Sequence, residues 1–159
     1  MSVHVAKVDW ALREGEDFLR GRYSRTHRVA FDGGFVMAGS ASPHVVPHPW
    51  SVESAVDPEE AFVAAISACH MLTFLHKARE AGLIVAAYSD EAEGIMGRGP
   101  GGRMAVTRVT LRPAIVYQGH EPTLPELDYL HKAAHADCFI ANSVTTEIVV
   151  ENRDDRVSF

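Results

Sequence analysis

Residues 57–69 read Asp57-Pro58-Glu59-Glu60-Ala61-Phe62-Val63-Ala64-Ala65-Ile66-Ser67-Ala68-Cys69. The first four open a helix. Asp57 is a good capping residue, and Glu60 three positions later completes a capping box. Pro58 suits the first helical position, where its missing N–H would have no partner anyway. No breaker follows until Gly82, so the pattern predicts one helix running to about Ala81. From Ala61 to Leu75 only Ser67, His70 and Thr73 are polar. A helix apolar on every side is expected to be covered on every side. The run falls short of the roughly 20 residues that span a bilayer, so it reads as a core helix.

The flanks are strands. Val3–Leu12 alternates, Tyr23–Phe31 and Phe35–Ser42 flank the turn signal Asp32-Gly33-Gly34, and loops fill 13–22 and 43–49. Downstream, strands are predicted over Tyr88–Arg98 and Met104–Tyr117, around the loop Gly97–Arg103. The glycines of that loop lack a phosphate-binding spacing, so it reads as a turn. A second helix starts near Thr123, with Leu127, Leu130 and Ala134 on one face, and delivers Cys138; Thr145–Glu151 is a last strand. The predicted order, βββ-α-ββ-α-β, is an α+β arrangement in a single domain over 1–159.

Composition narrows the function. The 159 residues carry a net charge of −6, which disfavours nucleic acid as a partner because that grip needs a basic surface. No Lys/Arg-rich amphipathic stretch suggests a membrane surface. The first residues alternate polar and apolar types instead of forming a signal peptide, so the expected location is the cytoplasm. Two cysteines are too few for a disulfide scaffold, and a lasting bridge is not expected in a reducing compartment. The simplest reading of them is two buried free thiols.

The surroundings of the cysteines allow more. A peroxide-reducing thiol needs a thiolate, an access route and a second thiol to capture the sulfenic acid. Cys69 lies mid-helix among apolar residues, where burial opposes ionisation, so a nearby cation is required. His70 is adjacent but points about 100° away around the helix. Arg25 is the better candidate. If Tyr23–Phe31 is a strand, Tyr23, Arg25, His27, Val29 and Phe31 share its apolar face, and Arg28 falls on the polar one. His131, His135 and Cys138 have a spacing that could hold a metal ion, against solvated helix histidines beside an independent thiol. Glu59 stands in the first helical turn, where the dipole already favours a carboxylate.

The segment 57–69, with its Asp-Pro-Glu-Glu-Ala start and terminal Cys69, resembles the N-P-E-x-L-x-x-A-x-x-x-x-C helix of the OsmC/Ohr family. A second cysteine about seventy residues on, the β-rich N-terminus and the hairpin between the helices are similar too, so the resemblance covers roughly residues 3–151. It implies an OsmC-like fold with antiparallel sheets enclosing a long central helix, in an intertwined homodimer. It also implies an oxidative-stress peroxidase reducing organic hydroperoxides or hydrogen peroxide. Cys69 and Cys138 would be its redox pair, with a dithiol such as dihydrolipoamide as reductant and no cofactor or metal. Glu59 matches the family's glutamate, and Arg25 approximately matches the arginine of the Ohr branch. The OsmC branch proper carries its arginine where this chain has Pro47-His48-Pro49-Trp50, and Phe139 replaces the usual proline after the second cysteine. His48, Trp50 and Phe139 are expected at the substrate entrance. Two rival functions remain: a binding or redox-sensing module on the same fold, and a metal-binding protein using His131, His135 and Cys138.

Overall fold

The computed structural model describes residues 1–151. In it, the helix opened by Asp57 is α1, Pro58–Glu80. The capping box forms as predicted. The Glu60 N–H donates to the Asp57 carboxylate (2.7 Å), and the Asp57 N–H donates to the Glu60 carboxylate (2.9 Å). At the other end Gly82 adopts φ 76°, and the Leu83 N–H reaches back to the Ala78 carbonyl (2.9 Å). A side chain would be strained in that left-handed conformation.

The chain folds as two compact units, residues 1–61 and a second from Phe62 onward. The first holds an antiparallel sheet of β1 (Ala6–Asp9), β2 (His27–Phe31) and β3 (Val36–Gly39), in that order. Gly34, with φ 85°, turns the β2–β3 hairpin. β2 begins four residues later than the sequence suggested. Upstream of it the backbone bonds elsewhere: Ser24 N–H to the Glu16 carboxylate (2.8 Å), Trp10 indole N–H to the Ser24 carbonyl (2.8 Å), Arg25 N–H to the Trp50 carbonyl (2.9 Å). Tyr23 and Arg25 therefore precede the strand, and the alternation used to turn Arg25 inward does not extend to it. Arg28, inside β2, is exposed as expected.

In the second unit, β4 (Val85–Asp90) pairs with β7 (Pro113–Tyr117), while β5 (Glu93–Arg98), β6 (Met104–Leu111) and β8 (Glu147–Val150) form another sheet in the order β5-β6-β8. Each of the two long strands expected here is thus broken in two. Asp90 makes the corner. Its carboxylate accepts the Arg112 N–H (2.6 Å) and the Ser67 hydroxyl (2.5 Å), and Pro113 has no N–H to continue a ladder. The Arg112 guanidinium ties Glu93 and Glu151 across the same corner, at 3.0 Å each. A second correction concerns strand direction. β8 lies parallel to β6, so the sheets are not all antiparallel. β8 arrives by way of the second helix, α2 (Leu124–Asp137), and a helical crossover is what a parallel pair requires.

α1 contributes to two cores. Ile66 packs with Val109 and Leu111; Phe74 and Ala78 pack with Leu130 and Ala134. Gly94 lets β5 approach the helix, since a Cβ there would fall 2.5 Å from a Val63 methyl. α1 is long and apolar enough to cross a membrane by length and composition alone, yet it is a core helix on one side. Ile66, His70, Phe74 and Ala78 form its buried stripe. The expectation that every face is covered fails within one chain: Ala64, Ala65, Ala68 and Leu72 are exposed, Leu72 by 63%. Phe74 has no exposed surface and stacks on His131 at 4.5 Å. Phe74→Ala should cost about 3–5 kcal/mol in chemical denaturation, from lost burial and the cavity left behind.

Candidate active site

Cys69 sits at the middle of α1, one position before the buried stripe residue His70. Cys138 is the residue at which α2 ends, its backbone already extended at φ −71°, ψ 114°. A short 3₁₀ turn, Ala141–Ser143, follows. The Asn142 N–H donates to the Cys138 carbonyl (3.0 Å), the Asn142 side chain to the Ala136 carbonyl (2.8 Å), and the Ser143 hydroxyl to the Phe139 carbonyl (2.7 Å). These bonds hold the chain reversal that brings Cys138 back onto α1.

The result is a thiol pair. Cys138 Sγ donates to Cys69 Sγ across 2.8 Å, and both cysteines are free. Two backbone amides point at the sulfurs, Ile140 N–H at Cys69 (3.5 Å) and Ala141 N–H at Cys138 (3.4 Å). The two thiols differ in a way that sets their roles. Cys138 is 1% exposed, whereas Cys69 is half-buried. Burial pushes the Cys138 thiol up, and the hydrogen bond it gives to Cys69 acts in the same direction. Cys138 is therefore the protonated donor and Cys69 the acceptor that solvent can reach. The Ala141 and Ile140 amides oppose that rise in Cys138 without cancelling it. No motif announced these amides; they depend on the shape of the turn.

The other expected site residues fall in several places. Phe139, next to Cys138, is 83% exposed. In the first unit, the half-buried Arg25 gives hydrogen bonds to the carbonyls of Gly21 (2.9 Å) and Tyr23 and lies 3.6 Å above the Tyr23 ring. It is joined to the half-buried Trp50 by its backbone, while His48 is exposed. Glu59 is half-buried, and its side chain makes no hydrogen bond or ion pair among the described residues.

The metal-site reading is not supported by the geometry. His131 is not a solvated helix histidine; it is 4% exposed and bonds His70 across 3.0 Å. Cys138 faces Cys69, and His135 is exposed. Among the described residues no three His, Cys, Asp or Glu side chains gather as a metal would require. The His70–His131 contact has no motif of its own in the sequence. The only signal was His70 falling on the i, i+4 stripe with Ile66, Phe74 and Ala78.

Comparison with known proteins adds to this geometry. A family model described as OsmC-like protein matches residues 51–153. An OsmC-like protein of unknown function from Vibrio cholerae is 52% identical, with a TM-score of 0.93 over 96% of this chain and 100% of that one. An organic hydroperoxide resistance protein from Elizabethkingia anophelis is 19% identical, with a TM-score of 0.69 over 96% of this chain and 94% of its own. The organic hydroperoxide resistance protein OhrB of Bacillus subtilis is 19% identical, with a TM-score of 0.65 over 94% and 98%. At that identity the last two speak for the fold alone. No curated protein matches the sequence.

Proposed function

Because the chain belongs to the OsmC-like family, we propose that it is a cysteine-based peroxidase acting on organic hydroperoxides or hydrogen peroxide. The observation that carries this reading is the 2.8 Å sulfur pair, with one thiol accessible and the other buried. The Cys69 thiolate attacks the terminal peroxide oxygen. The S–O bond forms as the O–O bond breaks, and the departing alkoxide takes a proton to leave as alcohol or water. Cys69 is then a sulfenic acid. The Cys138 sulfur attacks the Cys69 sulfur, a disulfide forms, and the hydroxyl leaves with the Cys138 proton as water. An external dithiol such as dihydrolipoamide returns two electrons and two protons. Two proteins that share this fold are named organic hydroperoxide resistance proteins, and the proposed substrate class is taken from those names.

Several finer assignments belong to the same reading. The whole chain acts as one OsmC-like domain in the cytoplasm, in an intertwined homodimer whose second copy covers the exposed face of α1. Arg25 stabilises the Cys69 thiolate and the developing charge, and Glu59 holds the arginine. His48, Trp50 and Phe139 line the entrance. Thiol titration tests the core of it: one equivalent of an organic hydroperoxide should remove both thiols of the reduced protein. Loss of neither thiol would overturn the peroxidase reading in favour of a binding or sensing module. One observation favours that second reading, namely that Arg25 already spends donors on the carbonyls of Gly21 and Tyr23.

Arg25→Ala should slow peroxide reduction by about tenfold to a hundredfold, as removal of a charge-stabilising donor does, and shift the pH–rate profile to higher pH. Arg28→Ala, at an exposed strand position, should leave both unchanged. Rates measured across pH compare the two, and equal effects would remove Arg25 from the site.

A further inference from the structure

A second pair of side chains joins the same two elements as the thiols, and the thiol chemistry does not use it. His70 Nε2 and His131 Nδ1 are 3.0 Å apart, in nearly parallel rings. Both residues are buried, at 1% and 4% exposure. His70 follows Cys69 directly on α1. His131 stands two turns before Cys138 on α2. The link holds one hydrogen, with one imidazole donating and the other accepting. A first added proton places a charge on a buried ring, which burial opposes. A second sets two N–H groups against each other. Nε2 of His131 is buried and finds no hydrogen-bond partner among the described residues.

We propose that His70 and His131 are positioning residues for the thiol pair, holding α2 and its terminal Cys138 against α1 only while both rings are neutral. The groups around them do not reverse this. Asp90 on β4 and Asp128 on α2 favour protonation, and His135 on α2 opposes it. The Tyr88 phenol on β4 and, beyond it, the Tyr117 phenol on β7 are themselves held neutral by burial. Burial is the largest influence on both histidines and holds each down to about 4. Besides the thiol hydrogen bond, the helices are tied by Lys77 to Asp137 at 2.6 Å, a surface pair of the kind that contributes little.

The sign follows from linkage. The folded values lie below the ordinary 6.5, so docking is fully favoured above pH 6.5. It weakens as pH falls from 6.5 towards 4, because the separated helices bind protons that the docked pair excludes. At pH 5.5 release should become about tenfold more frequent for each titrating histidine. A Cys69 sulfenic acid formed there would wait longer for Cys138. That consequence rests on the peroxidase reading; the test does not, since it uses reduced protein and no peroxide.

The measurement is amide hydrogen exchange of the reduced protein at pH 7 and pH 5.5, corrected for intrinsic rates. In wild type, α2 should lose protection by about tenfold to a hundredfold on acidification, while β6, in the other core, should not. His131→Gln, which keeps a neutral hydrogen-bonding group, should show a response about tenfold smaller. His70→Gln combined with His131→Gln should show none. If the double variant responds to pH as wild type does, the histidines do not control α2. If the double variant does not fold, wild type alone decides: selective loss in α2 supports the inference, and equal loss in α2 and β6 refutes it.

Discussion

Cys69→Ser should reduce peroxide turnover to the rate of buffer alone. A serine hydroxyl cannot ionise near neutral pH, so no nucleophile remains at the more accessible of the two thiol positions. Cys138 does not substitute for it, being 1% exposed and held protonated by burial. Cys138→Ser should behave differently. Cys69 should still react once, but with no thiol at 2.8 Å its sulfenic acid persists. Excess peroxide then carries it to sulfinic and sulfonic acid. Mass spectrometry of the two variants after one and after ten equivalents of hydroperoxide distinguishes these outcomes. Peroxidase activity retained in Cys69→Ser would reverse the assigned roles.

Restoration of activity by mixing two inactive variants is the second expected result. α1 runs unbroken from Pro58 to Glu80. Glu59 and Cys69 are ten positions apart on it, about 15 Å along the axis and roughly 1000° around it. A glutamate side chain does not close that distance, so a site using both residues must take Glu59 from a second copy. A two-fold dimer with antiparallel α1 helices supplies it and creates two equivalent sites. The exposed face Ala64, Ala65, Ala68 and Leu72 suits such a contact, because small residues let helices approach closely. Chains carrying Cys69→Ser and chains carrying Glu59→Ala, each inactive alone, should regain activity when unfolded and refolded together. Half the dimers are then mixed, and each has one intact site and one doubly defective site, giving about a quarter of wild-type activity. No recovery from verified mixed dimers, or sedimentation as a monomer at micromolar concentration, would defeat the shared site.

Much of the fold was legible in the sequence because it rests on local rules. The Asp57–Glu60 cap, the stop at Gly82, the Gly34 turn and the start of α2 at Thr123 each depend on residues within one turn of each other. What was missed depended on distant partners. Asp90 divides two strands by accepting from Ser67 and Arg112, twenty-three and twenty-two positions away. β8 becomes parallel to β6 because α2 carries it across. Arg25 leaves the strand pattern because Trp50 takes its backbone hydrogen bond.

The candidate site divides along the same line. Local pattern and the family helix motif were enough to single out Cys69 and Cys138 as a candidate pair. Only the tertiary structure could bring the sulfurs to 2.8 Å, aim the Ile140 amide at Cys69, and bury His131 against His70. The physical reason is that side-chain type and helical period act through near neighbours. Burial, ionisation and hydrogen-bond pairing belong to whatever the folded chain places alongside, here groups sixty-one to seventy-one positions apart.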